Sequence, residues 1–351
     1  MIASDAATNR ITFDGVGKRF DDTWVLEDVD LHVAPGTIIG LIGPSGSGKT
    51  TTVRLANGYY EASAGEVRIL GSDPAKLTDA QRRRIGYLPQ RLVLFDELSL
   101  WENLNFHASL NGVAFRRRAR LNELLELVQL KGQEKKLVSE SSGGMQRRLA
   151  LAATLVHSPD VLMLDEPTAG IDPILRRRFW EYFRTLRDAG RTLVITTQSV
   201  SEAADCDVVV MLAQGRIAAC GSPTELRRQA LGGTSVEVTF EQHVGADVVD
   251  RLARIEGVER AELVDSRTVR ISIDQERITI ADIGEQLGDP WTISKAGEVA
   301  TDWDEVFIEL VGADSSDDVD VDAGTDESAA GDGEIPDTTK SVVADPNGAS
   351  E

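Results

Sequence analysis

GPSGSGKT, at residues 43–50, matches the phosphate-loop pattern G-x-x-x-x-G-K-[ST]. The stretch follows an apolar run at residues 38–42 and precedes residues 52–57, which are typical of the start of a helix. In this setting glycines let backbone N–H groups surround phosphate oxygens, and the helix N-terminus adds a positive dipole. An ordinary Gly/Ser turn does not require Lys49 and Thr50 in these two positions. The stretch therefore predicts a nucleotide-binding α/β domain.

The motif also predicts roles for individual residues of the loop. Lys49 is expected to reach the β and γ phosphates, and Thr50 is expected to place its hydroxyl on Mg²⁺. The residues predicted to bind nucleotide here are Gly43, Pro44, Ser45, Gly46, Ser47, Gly48, Lys49, Thr50 and Thr51.

A second apolar run, VLMLDE at residues 161–166, ends in two carboxylates. Burying two adjacent acids is unfavourable without a cation or a proton as partner. Asp165 is therefore predicted to hold the Mg²⁺ shell, and Glu166 to polarise an attacking water as a general base. The alternative is an exposed acidic turn after a core strand. The phosphate loop in the same chain favours the catalytic interpretation.

A third motif, SSGGMQ at residues 141–146, opens a predicted helix. Ser142 is suited to cap that helix, and Gly143 and Gly144 would allow a phosphate to approach closely. A plain helix cap would explain Ser142 but not the paired glycines. All three residues are therefore predicted to bind nucleotide.

Together these motifs strongly resemble those of ATP-binding cassette (ABC) ATPases, and the resemblance covers residues 1–232. The family signature is normally LSGGQ, and here Ser141 replaces the Leu and Met145 the Gln. Met at that position is familiar in ABC-2 type exporters, including the daunorubicin-resistance-like branch. The resemblance implies a P-loop NTPase fold that binds ATP with Mg²⁺ and hydrolyses it.

Further residues take their expected roles from the resemblance. Phe20 matches the aromatic residue that stacks on adenine, although a core residue at a strand edge is the alternative. Gln90 matches the glutamine that links Mg²⁺ and water to the contact with the transporter. Asp172 matches a residue of the loop that transmits changes between the two subunits of the dimer. Gln198 stands where most of the family has a catalytic histidine, a replacement familiar in the daunorubicin-resistance-like branch. We expect it to contact the γ-phosphate.

The resemblance also implies partners. Family members act as head-to-tail dimers, so this chain would pair with a second copy or a close relative. It would power transport through a separate membrane-spanning permease at the cytoplasmic face of the cell membrane, with residues 92–104 as the contact surface. A soluble ABC-type ATPase acting on ribosomes or DNA is the rival hypothesis, and a cassette that signals rather than pumps is a third.

Composition excludes several other classes. The 351 residues include 58 acidic and 37 basic side chains, a net charge of −21 that argues against nucleic acid as a partner. Two cysteines exclude a disulfide scaffold and a four-cysteine zinc site, and the N-terminal residues lack the apolar run of a signal peptide.

The arginine runs at residues 82–84, 116–118, 147–148 and 176–178 are interpreted as solvated helix faces, with docking to the membrane subunit or to anionic lipid headgroups as the alternative. High Asp with few Lys suggests a halophilic host, although a GC-rich genome biases composition similarly.

Three regions are predicted along the chain. Residues 1–232 alternate buried strands with helices, as in an α/β domain with a parallel sheet. Residues 233–312 follow a β-α-β-β-α-β order, which predicts a small ferredoxin-like α+β accessory domain closed by a helix at residues 303–310. Residues 313–351 are strongly acidic, lack apolar periodicity and are predicted to be a disordered tail.

Overall fold

The structure is a computed structural model that describes residues 10–274, 277–288, 290–299 and 302–312. The predicted tail, residues 313–351, lies outside the described residues. The strands are β1 (Ile11–Phe20), β2 (Thr23–Val33), β3 (Ile38–Ile42), β4 (Ala64–Ile69), β5 (Ile85–Leu88), β6 (Val161–Asp165), β7 (Thr192–Thr197), β8 (Val208–Ala213), β9 (Arg216–Gly221), β10 (Thr234–Phe240), β11 (Val258–Asp265), β12 (Thr268–Ile273) and β13 (Ile293–Glu298). The α-helices are α1 (Lys49–Ala56), α2 (Asp79–Arg82), α3 (Leu100–Leu110), α4 (Arg118–Leu127), α5 (Gly143–Leu155), α6 (Pro173–Asp188), α7 (Pro223–Leu231), α8 (Ala246–Leu252), α9 (Ile280–Leu287) and α10 (Trp303–Gly312).

The central sheet has six strands in the order β5-β6-β7-β3-β8-β9. The first five run parallel to one another, and β9 pairs antiparallel with β8. Every residue of β3, β6 and β7 is buried, because both faces of the parallel sheet are covered, one by helices and the other by α1 together with an antiparallel sheet. The predicted α/β fold is therefore confirmed for this part of the chain.

An antiparallel sheet of three strands, β2-β1-β4, packs against the central sheet. Its buried side chains, among them Phe13 and Leu26, share one core with Leu41 of β3 and Val53 of α1. Phe20 is the last residue of β1. The two sheets therefore hold the phosphate loop and the end of β1 in one packed unit.

Helix α5 carries the apolar face that its sequence predicts. The five predicted side chains are buried: Met145, Leu149, Ala152 and Ala153 in the helix and Val156 directly after it. Ala150, Leu151 and Leu155 are buried as well, so the second half of the helix is enclosed on more than one side. They pack in the same core as Leu104 of α3 and Leu124 of α4. Helix α5 therefore joins this helical layer to the central sheet and directs its N-terminus outward.

The third sheet is antiparallel, in the order β11-β12-β10-β13. With α8 and α9 in their chain positions, this is the connection order of a split βαβ unit. Its core is separate and includes Val236, Phe240, Val248, Ile271 and Ile283. The division of the chain into domains remains a prediction.

The last helix packs differently from the sequence expectation. Trp303, Val306 and Leu310 of α10 join the core that contains Leu226 and Leu231 of α7, not the core of the third sheet. The guanidinium carbon of Arg227 also lies 4.9 Å from the centre of the Trp303 ring. Helix α10 thus packs on the part of the chain that holds the central sheet.

We expect Trp303→Ala to destabilise the protein, because the indole is 5% exposed and its removal leaves a cavity. The expected loss of unfolding free energy is about 3 kcal/mol, measured as a lower urea midpoint. Ile308→Ala on the same helix is the control, since Ile308 is 68% exposed and should change stability by less than about 0.5 kcal/mol. Equal midpoints for the two variants would contradict this packing.

Candidate active site

Three neighbouring strands of the central sheet end side by side, and the candidate site lies at this edge. Asp165 of β6 pairs with Thr196 of β7, and Ile42 of β3 pairs with Thr197. The next residues along the three strands are Glu166, Gln198 and Gly43. Parallel strands thus place the phosphate loop, the acidic pair and Gln198 at one edge.

The phosphate loop joins β3 to α1, and its glycines are required by close packing. A Cβ at Gly43 would lie 2.2 Å from the backbone oxygen of Leu212. Gly48 has a φ of 106°, and a Cβ there would lie 2.4 Å from Leu26 Cδ2. Only glycine fits the loop at these two positions.

Lys49 is buried at the start of α1. Its Nζ donates hydrogen bonds to the carbonyl oxygens of Gly43 at 2.8 Å and Pro44 at 2.7 Å. Burial lowers the pKa of the Lys49 ammonium, while the negative charges of Glu166 and Asp165 act in the opposite direction. Ser47 Oγ is also buried, with no hydrogen-bond partner among the described residues. Both side chains lie where the motif predicts contact with phosphate.

Asp165 is 1% exposed. Its Oδ1 accepts hydrogen bonds from Thr196 Oγ1 at 2.5 Å and Thr50 Oγ1 at 3.2 Å. Within the described part of the chain, its Oδ2 is buried without a partner. A buried carboxylate oxygen with no donor and a neighbouring threonine hydroxyl fit Mg²⁺, a hard cation that takes oxygen ligands and draws others from phosphates and water. Among the described residues, no group of three or more His, Cys, Asp or Glu side chains is arranged to hold a metal ion.

Glu166 combines an unusual backbone with a direct contact to Gln198. Its φ is 52°, in the left-handed region that non-glycine residues rarely adopt. Its backbone N–H donates to Thr196 O at 3.1 Å and Thr196 Oγ1 at 3.0 Å. Gln198 Nε2 donates to Glu166 Oε1 at 2.6 Å, a contact that the sequence did not predict. The structure thus brings the two predicted catalytic residues together.

Arg147 is a site residue that the sequence analysis missed. Its Nε donates to the backbone oxygen of Glu166 at 2.8 Å, and its Nη2 donates to that of Asp165 at 2.9 Å. The prediction that the arginine runs are solvated helix faces is therefore wrong for Arg147. It is also wrong for Arg117, which is 7% exposed and donates to Val113 O at 2.8 Å. No sequence signal separates such arginines from solvated ones, because the acceptors of Arg147 are backbone carbonyls about 19 residues away, and those of Arg117 include the side chains of Asn105 and Ser109 on a preceding helix.

Ser142, Gly143 and Gly144 of the third motif are exposed at the N-terminus of α5, whereas Ser141 and Met145 are buried. Ser142 caps the helix by accepting a hydrogen bond from Met145 N at 3.3 Å, as predicted. A Cβ added to Gly143 or Gly144 would meet nothing within 4 Å. No hydrogen bond among the described residues links this turn to the phosphate loop of the same subunit. The nucleotide contact predicted for these residues stays a prediction.

Three predicted site residues remain: Phe20, Gln90 and Asp172. The Phe20 ring packs edge-on against Tyr60, with centroids 5.0 Å apart, and Lys18 Nζ lies 4.9 Å from its centre. Gln90 is exposed and its side chain makes no hydrogen bond in the described part of the chain. Asp172 caps α6 by accepting from Ile174 N and Leu175 N. No residue among these three contacts Asp165 or Glu166 by a hydrogen bond in the structure.

Comparison with known proteins agrees with this geometry. The family model described as "ABC transporter" matches residues 26–169. The daunorubicin resistance ATP-binding protein DrrA3 of Streptomyces coeruleorubidus is 41% identical over 238 residues, covering 67% of this chain and 75% of that protein. The Nod factor export ATP-binding protein I of Paraburkholderia xenovorans is 38% identical over 258 residues, covering 72% and 83%.

A similar solved structure is a dimeric ATP-binding cassette in a post-hydrolysis state, bound to ADP and Pi. It has a TM-score of 0.56 and 25% sequence identity, and the match covers 60% of this chain and 98% of that one. Among the described residues, no helix is long and apolar enough to cross a membrane. The phosphate loop, the buried Asp165 and the adjoining Glu166, together with these relatives, show that the chain belongs to the ABC transporter family, as an ATP-binding subunit that hydrolyses ATP.

Proposed function

We propose that this protein is the ATP-hydrolysing subunit of an ABC-2 type exporter. The observation that carries the proposal is the convergence of Lys49, Asp165, Glu166 and Gln198 at one edge of the central sheet. Relatives named for daunorubicin resistance and Nod factor export favour an exporter over the soluble alternative. The protein would act at the cytoplasmic face of the cell membrane, attached through a permease.

Within this proposal, Mg²⁺ would be held by Thr50, Asp165 and Gln90. When bound, the ion would neutralise phosphate charge. Lys49 would exchange its contacts with backbone carbonyls for phosphate oxygens. Glu166 would accept a proton from the attacking water, and Gln198 would hold the Glu166 carboxylate and contact the γ-phosphate. Phe20 would stack on the adenine.

The active form would be a head-to-tail dimer. The exposed Ser142, Gly143 and Gly144 would contact ATP held by the phosphate loop of a second copy. Open space around both glycines supports this, because no packing within the subunit requires them. The dimeric state of the similar cassette also supports it. Asp172, exposed at the start of α6, would face the partner.

The permease would dock at a cavity of about 420 Å³ beside residues 92–104. The cavity is lined in part by Tyr59, Val93 and His107. Phe95 and Phe106 lie near it, 40% and 42% exposed, with ring centroids 4.7 Å apart. Exposed aromatic and aliphatic side chains around a cavity favour a protein partner over solvent.

Two finer assignments complete the proposal. Residues 233–312 would form an accessory domain through the split βαβ sheet, with α10 as its attachment to the ATPase part. The excess of 58 acidic over 37 basic residues suits a halophilic host and makes nucleic acid an improbable partner on electrostatic grounds.

Lys49→Ala should weaken ATP binding at least about tenfold, roughly 1.4 kcal/mol, because the triphosphate loses its main point charge. Isothermal titration calorimetry would measure it. Lys131→Ala is the control, since that side chain is exposed and pairs with Glu126 on the surface. Equal affinity in the Lys49 variant and wild type would contradict the assignment of the phosphate loop.

Glu166→Gln should retain ATP binding and lose turnover, because an amide cannot accept the proton from water. Without hydrolysis the ATP-bound dimer should persist. Size-exclusion chromatography with Mg-ATP should show a dimer for the variant and mainly monomer for wild type. A variant that remains monomeric at saturating ATP would argue against the head-to-tail dimer.

Gln198→Ala should lower kcat by roughly ten- to a hundredfold with little change in KM, since its amide acts mainly as charge develops in the transition state. Gln198→His should retain activity and acquire a pH dependence between about 6 and 7. Steady-state ATPase assays would measure both. Wild-type turnover in Gln198→Ala would show that the hydrogen bond to Glu166 has no role in hydrolysis.

A further inference from the structure

We infer that Arg147 is a positioning residue, which holds the main chain of Glu166 and so links helix α5 to the direction of the proposed catalytic carboxylate. The inference rests on the proposed function, because it requires Glu166 to be the general base. Arg147 itself would touch neither the nucleotide nor the attacking water.

The contacts join two distant parts of the chain. Arg147 lies in α5, and the guanidinium reaches the backbone oxygens of Asp165 and Glu166 at the end of β6. Nη2 also donates to the Glu166 oxygen, so that oxygen receives two N–H groups of the same guanidinium. A planar fork of donors fixes the position of a peptide group more closely than one donor can.

The peptide that Arg147 holds is a strained one. A non-glycine residue in a sparsely populated backbone region is strained and persists only when its surroundings impose it. Glu166 has a φ of 52°, and Thr196 holds its N–H side. Arg147 holds its carbonyl side. With both peptide groups held, the direction of the Cα–Cβ bond of Glu166 is set, and from that position its carboxylate reaches Gln198 Nε2 at 2.6 Å.

The contacts of Arg147 among the described residues indicate no other role for its guanidinium. Arg147 is half-buried, and burial lowers the pKa of its guanidinium while Glu166 and Asp165 oppose that change. It forms no ion pair among the described residues, and its hydrogen bonds there go to backbone oxygens. Its neighbour Arg148 also donates to backbone oxygens, but to those of Gly144 in the first turn of α5 and of Val128 and Gln129 in the helical layer. Only Arg147 of the pair reaches Asp165 and Glu166.

Helix geometry supplies the link to the proposed dimer. Gly143 and Arg147 are four residues apart, and therefore lie one turn apart on the same face of α5. A nucleotide bound at Ser142, Gly143 and Gly144 by a second copy would set the position of this first turn. Because Arg147 is bonded to the backbone of Glu166, a change in the position of this turn would also move Glu166 of the same subunit. Each active site would therefore respond to the nucleotide bound at the other active site.

The test replaces Arg147 in the full-length protein. Arg147→Lys keeps the charge but loses the fork, and Arg147→Gln keeps hydrogen-bond donors but loses the charge. Both should lower kcat by roughly ten- to a hundredfold, the scale expected when a reacting group is misplaced by about 1 Å, with KM within about twofold. Arg177→Lys is the matched control, because that side chain is exposed and pairs with Glu181 on the surface, and its kcat should stay within about twofold of wild type.

A second background separates positioning from general structural damage. In Glu166→Gln, the residual single-turnover hydrolysis should be the same with and without Arg147→Lys, because the carboxylate that Arg147 directs is already absent. An unchanged kcat in Arg147→Lys, or an equal loss in both backgrounds, would overturn the inference. Full turnover in Glu166→Gln would instead contradict the proposed role of Glu166, and the inference with it.

Discussion

A carboxylate buried at the end of a strand is the constraint around which this site is built. Asp165 is 1% exposed, and water cannot stabilise its charge. Thr196 and Thr50 donate to one of its oxygens. Burial lowers the pKa values of Lys49 and Arg147. The negative charges of Glu166 and Asp165 lie close enough to both cations to oppose that lowering. Two cations and two carboxylates thus compensate one another at this edge of the sheet.

The order of the strands in the central sheet brings these residues together in one site. Because β6, β7 and β3 are adjacent and parallel, the residues that follow them meet at the same edge. Gly43 and Glu166 are 123 residues apart in the chain, and Glu166 and Gln198 are 32 residues apart, yet the register of the strands brings all three side by side. The left-handed backbone of Glu166 then directs its side chain towards Gln198.

Glycines at the two phosphate motifs are required for different reasons. Gly43 and Gly48 are crowded within the subunit, by Leu212 and Leu26 respectively. Gly143 and Gly144 have open space around them, so the packing of one subunit does not explain them. The first pair belongs to a loop complete in a single chain, and the second pair is consistent with a surface completed by a second copy.

The sequence by itself determined the α/β class, the phosphate loop, the strand ending in Asp165 and the cap at Ser142. These follow from local patterns: apolar runs of strand length, glycine spacing and a hydroxyl before a helix. The tertiary structure alone decided the Gln198–Glu166 contact, the burial of Arg147 and the packing of α10 against α7. Arginine has the same appearance in a sequence whether it binds solvent or a distant carbonyl, and an amphipathic helix does not specify its partner surface. Both depend on which segments the fold brings together, and a local pattern contains no information about that.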